Sequence, residues 1–133
     1  MKFTDGYWLK RPGVTVVNPK EVCDIKIQEN SVTLYISPWN VTNRGMTLQG
    51  PLVTLTFTSP RQDILAAEIT HFQGGNKKEA RFQLNKKDCE LKVEKSEDSL
   101  IIKSGKTTAE IKLSEFAVVY KYGGRYLTST GFL

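Results

Sequence analysis

The chain has 133 residues, of which 39% are apolar, 25% charged and 10% aromatic; this is the make-up of one ordinary globular domain, not of a collagen-like repeat or a low-complexity tail. Such a length buries about two thirds of the surface its unfolded form exposes, enough for a single core without metal or disulfide support. The net charge of +5 divides into seven basic and five acidic side chains before Ala67 and twelve and nine after it, an even spread that argues for a solvated surface and against a nucleic-acid face.

No run approaches the roughly 18 to 20 apolar residues of a membrane span. Met1 to Lys10 carries Asp5 and Lys10 where a secretory signal would be apolar. The expected location is therefore cytoplasmic, with no membrane partner. Within the same opening, Trp8 follows Asp5-Gly6-Tyr7 as a large aromatic near a loop.

Val, Ile and Thr number 31 and Ala only 5, which favours pleated sheet over helix. Period-two alternation then predicts strands in order. Cys23, Ile25 and Ile27 form the first inward set, with Cys23 read as a small core hydrophobe, and Val32, Leu34 and Ile36 form the second. Gln28-Glu29-Asn30 is the hairpin tip between them. After Ser37-Pro38 come Trp39, a second candidate aromatic platform, and a connection from Asn40 to Gly50. Asn40-Val41-Thr42 has the form of a glycosylation sequon, read as coincidental without a signal peptide.

Val53, Leu55 and Phe57 predict the next strand, with a turn at Thr58-Ser59-Pro60-Arg61, followed by Leu65, Ala67 and Ile69. Gly74-Gly75-Asn76 marks a reversal, Ser96-Glu97-Asp98 another, Ala109, Ile111 and Leu113 a late inward set, and Gly123-Gly124 a final tight turn. Eight to ten short strands of this spacing, with no long helix and no internal repeat, predict an all-β chain folded as one antiparallel β-sandwich over residues 1–133. The close on Tyr126 to Leu133 mixes apolar and turn residues without a polar tail, which reads as a domain cut short.

Chemistry is sparse. His71 is the only histidine and no glycine-framed serine accompanies it, so a hydrolase nucleophile is not indicated and a structural histidine is the better reading. Cys23 and Cys89 are distant and lack a C-x-x-C pattern, which leaves no zinc set, and a bridge between them is disfavoured. Gly74-Gly75 and Gly123-Gly124 are doublets rather than a phosphate-binding loop, and no cofactor is expected. Glu68 and Glu110 fall on the outward phase of strands, and nothing marks a catalytic carboxylate pair. Trp8 and Trp39 remain as sugar-stacking candidates, with packing at a sandwich end or against another domain as the competing reading.

Met1 to Leu9 with Pro12-Gly13, Leu48 to Leu55, Phe57 to Pro60, Ile69 to Gly74 and, more weakly, Lys103-Ser104-Gly105 form an ordered series. In that order they resemble the amino-terminal part of bacterial α-xylosidases of glycoside hydrolase family 31. The resemblance implies a galactose-mutarotase-like supersandwich preceding a (β/α)8 barrel, and in this family the catalytic aspartates belong to the barrel, so no catalytic residue carries over. The implied parent is a retaining α-xylosidase or α-glucosidase acting on terminal α-linked xylose or glucose, with the barrel, an α-xyloside or α-glucoside oligosaccharide and further copies of the chain as partners. The loop from Asn40 to Gly50 is then the segment that reaches toward a sugar pocket, with Trp39, Arg44, Met46 and Gln49 as its candidate residues; Gln49 stands where some members offer a carboxylate. The alternative is a free-standing carbohydrate-binding module using Trp8 and Trp39.

Overall fold

The computed structural model describes residues 11–48, 50–71 and 85–130. Trp8, Gln49 and the Gly74-Gly75-Asn76 reversal lie outside these. The described strands are β1 (Glu21–Gln28), β2 (Ser31–Ser37), β3 (Val53–Arg61), β4 (Ile64–Thr70), β5 (Lys92–Lys95), β6 (Ser99–Ser104), β7 (Thr107–Lys112), β8 (Ala117–Tyr122) and β9 (Arg125–Thr130), with one 3-10 turn at Arg44–Leu48. They form two antiparallel meanders, β1-β2-β3-β4 and β5-β6-β7-β8-β9, so every neighbour in a sheet is also a neighbour in sequence. The fold is all-β and sandwich-like.

The alternation explains the layers. Val32, Leu34 and Ile36 of β2 and Leu55 and Phe57 of β3 are buried from the first sheet; Leu100, Ile102, Ala109, Ile111 and Val118 meet them from the second. Leu113 closes the same cluster. Burial of this apolar area, at about 25 cal/mol per Å2, is the main force holding the sheets together. One polar pair crosses the core: Ser59 Oγ and Ser104 Oγ lie 2.7 Å apart, both almost fully buried.

Three expectations need correction. Cys23 is exposed, because the β1–β2 register shifts between Val22 and Asp24 and makes it the extra residue of a β-bulge. The bulge keeps Val22 and Ile25 on the core side, opposite Ile36 and Leu34. Thr58 to Arg61 is not a turn but the end of β3, carrying a second register shift; the chain reverses at Gln62-Asp63, where Asp63 has φ 66°. A short polar side chain tolerates that left-handed backbone.

The third correction concerns Ile27, Ala67 and Ile69, which stand on core-side register positions opposite Val32, Phe57 and Leu55 yet are exposed, Ile27 and Ile69 at 51% and 67%. The cause is the crossing of the sheets. Val22 N donates to Leu113 O at 2.9 Å, tying the start of β1 to one end of the central strand β7. Lys106 N donates to Asp63 Oδ1, and Thr107 Oγ1 to Asp63 O at 2.6 Å, tying the start of β4 to the other end. Both edge strands of the first sheet thus meet the middle of the second at their beginnings, and their far ends, with Ile27 and Ile69, diverge from it.

The remaining turns follow the sequence. Gln28 pairs with Ser31 around Glu29-Asn30, and Ser96 N donates to Ser99 O at 2.9 Å across the β5–β6 reversal. Gly123 and Gly124 have φ 56° and 83°, the two left-handed positions of a type I′ hairpin.

Candidate functional site

The connection from β2 to β3 is built around Trp39. β2 ends at the buried Ser37, whose Oγ accepts from Trp39 N at 3.3 Å. Pro38 keeps the intervening backbone extended and out of the ladder. The Trp39 ring is half-buried, and its Nε1 donates to Met46 O at 3.3 Å. On its other side the chain passes so close at Gly50 that an added Cβ would fall inside the indole, which makes glycine obligatory there for steric reasons.

The 3-10 turn inside the loop is held by short-range bonds. Asn43 caps it, its carbonyl O accepting from Met46 N at 3.1 Å and its Oδ1 from the same group at 3.3 Å. Thr47 Oγ1 donates to Arg44 O at 2.7 Å. A longer tether joins the loop to β1, where Glu21 Oε2 accepts from Val41 N at 2.8 Å. Trp39 and Met46 are therefore brought together, Met46 is half-buried, and Arg44 and Leu48 project from the turn into solvent, Leu48 at 87% exposure. The sequon residues Asn40 and Thr42 are exposed beside it.

In this arrangement the indole works as the pillar on which the loop is wound. Its two contacts, one through hydrogen-bonding Nε1 and one through Gly50, are those of a packed side chain with a satisfied polar tip. Among the described residues of the turn, the Arg44 and Leu48 side chains are exposed to meet another molecule. Asn43 was not singled out from the sequence; the signal available there was an Asn ahead of Arg44-Gly45, a residue type whose side chain caps turns.

The other chemistry-bearing residues stay apart. His71 is exposed, one residue past β4. Cys23 and Cys89 are both free thiols; partial burial of its sulfur, with the carboxylates of Glu21 and Asp24 adding to it, pushes the Cys23 thiol up against a smaller opposing effect of Ser37. A raised thiol is a poor nucleophile. A cleft of about 310 Å3 between β1 and the β5–β6 and β7–β8 turns gathers Asp24, Glu97 and Asp98 with Lys95. There the Ser114 hydroxyl and backbone N–H, at 2.9 and 2.8 Å, hold the Asp98 carboxyl below its usual range. Glu115 is likewise lowered, by Lys112. A general acid at neutral pH needs a carboxyl raised by burial or a like charge, and these two are shifted the opposite way. Among the described residues no three His, Cys, Asp or Glu side chains gather to hold a metal ion, and no helix is long and apolar enough to cross a membrane.

No family model matches the chain. Among curated proteins it is similar to the alpha-xylosidase XylQ of Lactiplantibacillus pentosus, with 28% identity over 131 residues that cover 98% of this chain and 17% of that protein. It is also similar to an alpha-xylosidase of Emericella nidulans, 31% identical over 85 residues that cover 64% of this chain and 11% of that protein. The relationship is a distant homology to α-xylosidases. The chain spans less than a fifth of the length of these relatives.

Proposed function

We propose that the chain acts as a non-catalytic, galactose-mutarotase-like β-sandwich module of a family 31 α-glycosidase that removes terminal α-linked xylose or glucose with retention of configuration. The observation that carries this reading is the similarity running along 98% of the chain while covering 17% of a much longer alpha-xylosidase. Neither Asp98 nor Glu115, each held in its ionised form, is tuned to donate a proton at neutral pH, and this reading gives neither a catalytic role.

The role is docking against the (β/α)8 barrel, contact between copies, and provision of one wall of the substrate pocket. For the wall, the loop around Trp39 and Met46 is fixed from inside and presents Arg44 outward, with Gln49 as its further candidate. An Arg guanidinium on a rigid turn offers several fixed donors to sugar hydroxyls. Trp8 and Trp39 serve packing in this reading, Trp39 through the indole contacts already described.

Two measurements test it. The purified chain should show no turnover of aryl α-xylosides, and measurable hydrolysis would sink the non-catalytic assignment. Reading the coding sequence beyond Leu133 tests the rest: a continuing frame that encodes a barrel is expected, and a stop codon would leave the free-standing module in its place.

A further inference from the structure

The outer face of the first sheet carries a groove of about 740 Å3, at the end of the sheet opposite the Trp39 loop. Its construction is specific. Beyond Thr58 the β3 strand passes the start of β2 at Ser31 and bulges at Ser59-Pro60. The incoming segment 85–89 is held against this bulge by backbone bonds, Lys87 N to Pro60 O at 2.8 Å and Cys89 N to Ser59 O at 2.9 Å. It forms one wall, the β1–β2 turn at Asn30-Ser31 forms another, and β4 supplies the floor.

The lining is chemically balanced. Arg61 and Lys86 are donors only, the carboxylates of Glu68 and Asp88 are acceptors only, and the amides of Asn30 and Asn85 do both. Among the described lining residues two cations offset two anions, a balance that favours neither a phosphate-rich nor a polycationic ligand. The floor is an apolar strip of Pro60, Ile64 and Ala66 between these polar rims, with Ile64 48% exposed. A ligand matching this pattern is uncharged, carries many groups that both donate and accept, and has a C–H face to lay on the strip.

We propose that this groove binds a neutral oligosaccharide. Pyranose rings present equatorial hydroxyls at the edge and axial C–H groups on the face, which is the complement of amide and charged rims around an aliphatic floor, and the volume lies within the range of small-molecule sites. The site uses neither tryptophan and does not depend on the chain serving a glycosidase, since its described walls and floor all come from this chain.

The test is titration of the whole isotopically labelled chain with xyloglucan heptasaccharide and with maltotriose, read by backbone amide shifts and by calorimetry. Binding should move the amides of Asn30, Arg61, Ile64, Glu68 and Asn85 and leave those of the Arg44–Leu48 turn in place. Ala66→Trp, which fills the floor, and Asn85→Ala, which removes a rim amide on a surface segment, should each weaken binding about tenfold or more, equivalent to about 1.4 kcal/mol. The second change keeps the test informative should the first disturb β4. Silence toward both sugars, binding unaffected by both variants, or groove shifts that depend on protein concentration without sugar would each overturn the assignment, the last in favour of self-association. Turnover by the chain would defeat the non-catalytic assignment and a stop codon after Leu133 would defeat the barrel-linked reading, and either result would leave this one standing.

Discussion

The buried serine pair makes a directional prediction. Ser59 Oγ lies 2.9 Å from Arg61 O and 2.7 Å from Ser104 Oγ. A carbonyl cannot donate, so the single Ser59 hydroxyl proton goes to Arg61 O, and the Ser104 hydroxyl must donate to Ser59. The two substitutions are then unequal. Ser104→Ala takes a donor away from an oxygen that still donates, and should cost about 1 kcal/mol, the net worth of one hydrogen bond. Ser59→Ala strands the Ser104 O–H in a core that is 1% exposed and also frees Arg61 O, and should cost about 2 to 3 kcal/mol. In the double variant no donor is stranded, so its cost should fall below the sum by about 1 kcal/mol. Urea unfolding followed by fluorescence reads all four proteins, with the slope unchanged and the midpoint shifted. Equal costs, or a larger cost for Ser104→Ala, would refute the proton assignment.

Three further outcomes follow from the same structure. Gly105→Ala places a Cβ at φ 54° and into the Asp63 carboxylate that clasps the β6–β7 turn, so thermal unfolding should show a loss of about 2 kcal/mol or more, against a few tenths for a surface change. The Asp98 carboxyl is held below its ordinary value of 3.8 by the Ser114 hydroxyl and N–H; a depressed folded value means that its stabilisation is present above 3.8 and disappears as pH falls through the lowered value, so Asp98→Asn should flatten acid unfolding below pH 4 and lower stability at pH 7. Trp39→Phe removes both the bond to Met46 O and the outer ring edge that meets Gly50, and should cost about 2 kcal/mol or more while raising hydrogen exchange selectively in the Arg44–Leu48 turn.

Much of the fold was written in alternation. Val32, Leu34 and Ile36, with Leu55, Phe57, Ala109 and Ile111, are buried as their period-two spacing requires, since one face of each central strand must leave water. Alternation could not show where the ladder slips. Cys23 breaks phase because a bulge inserts a residue, and bulges have no strong sequence mark outside glycine. Ser59-Pro60 carried turn chemistry, yet a strand end with its ladder already shifted also accepts proline. Ile27 and Ile69 have the right phase and the wrong exposure, because the angle between the sheets belongs to the pair of sheets and not to either strand. At the candidate site, the residue types around Trp39 were legible, but whether an indole faces solvent or carries a loop depends on contacts with Met46 and Gly50 that close only in three dimensions.

The positions of the two surface features bear on how they can act. The Trp39 loop leaves β2 after Ser37, whereas the outer groove begins at Asn30-Ser31, where β2 starts. Seven residues of strand separate them, which at about 3.3 Å per residue is roughly 20 Å, about four sugar rings. A short oligosaccharide in the groove therefore cannot also touch Arg44, and an effect of Arg44→Ala on groove binding would have to travel through β2, which is paired on both sides by β1 and β3. Groove and loop should behave as independent sites: the Arg44→Ala and Asn85→Ala effects on any sugar bound at each should add to within a few tenths of a kcal/mol. Strong coupling between them would mean that a longer glycan spans both, and extending the titrated oligosaccharide beyond four rings would then bring the two sets of amide shifts on together.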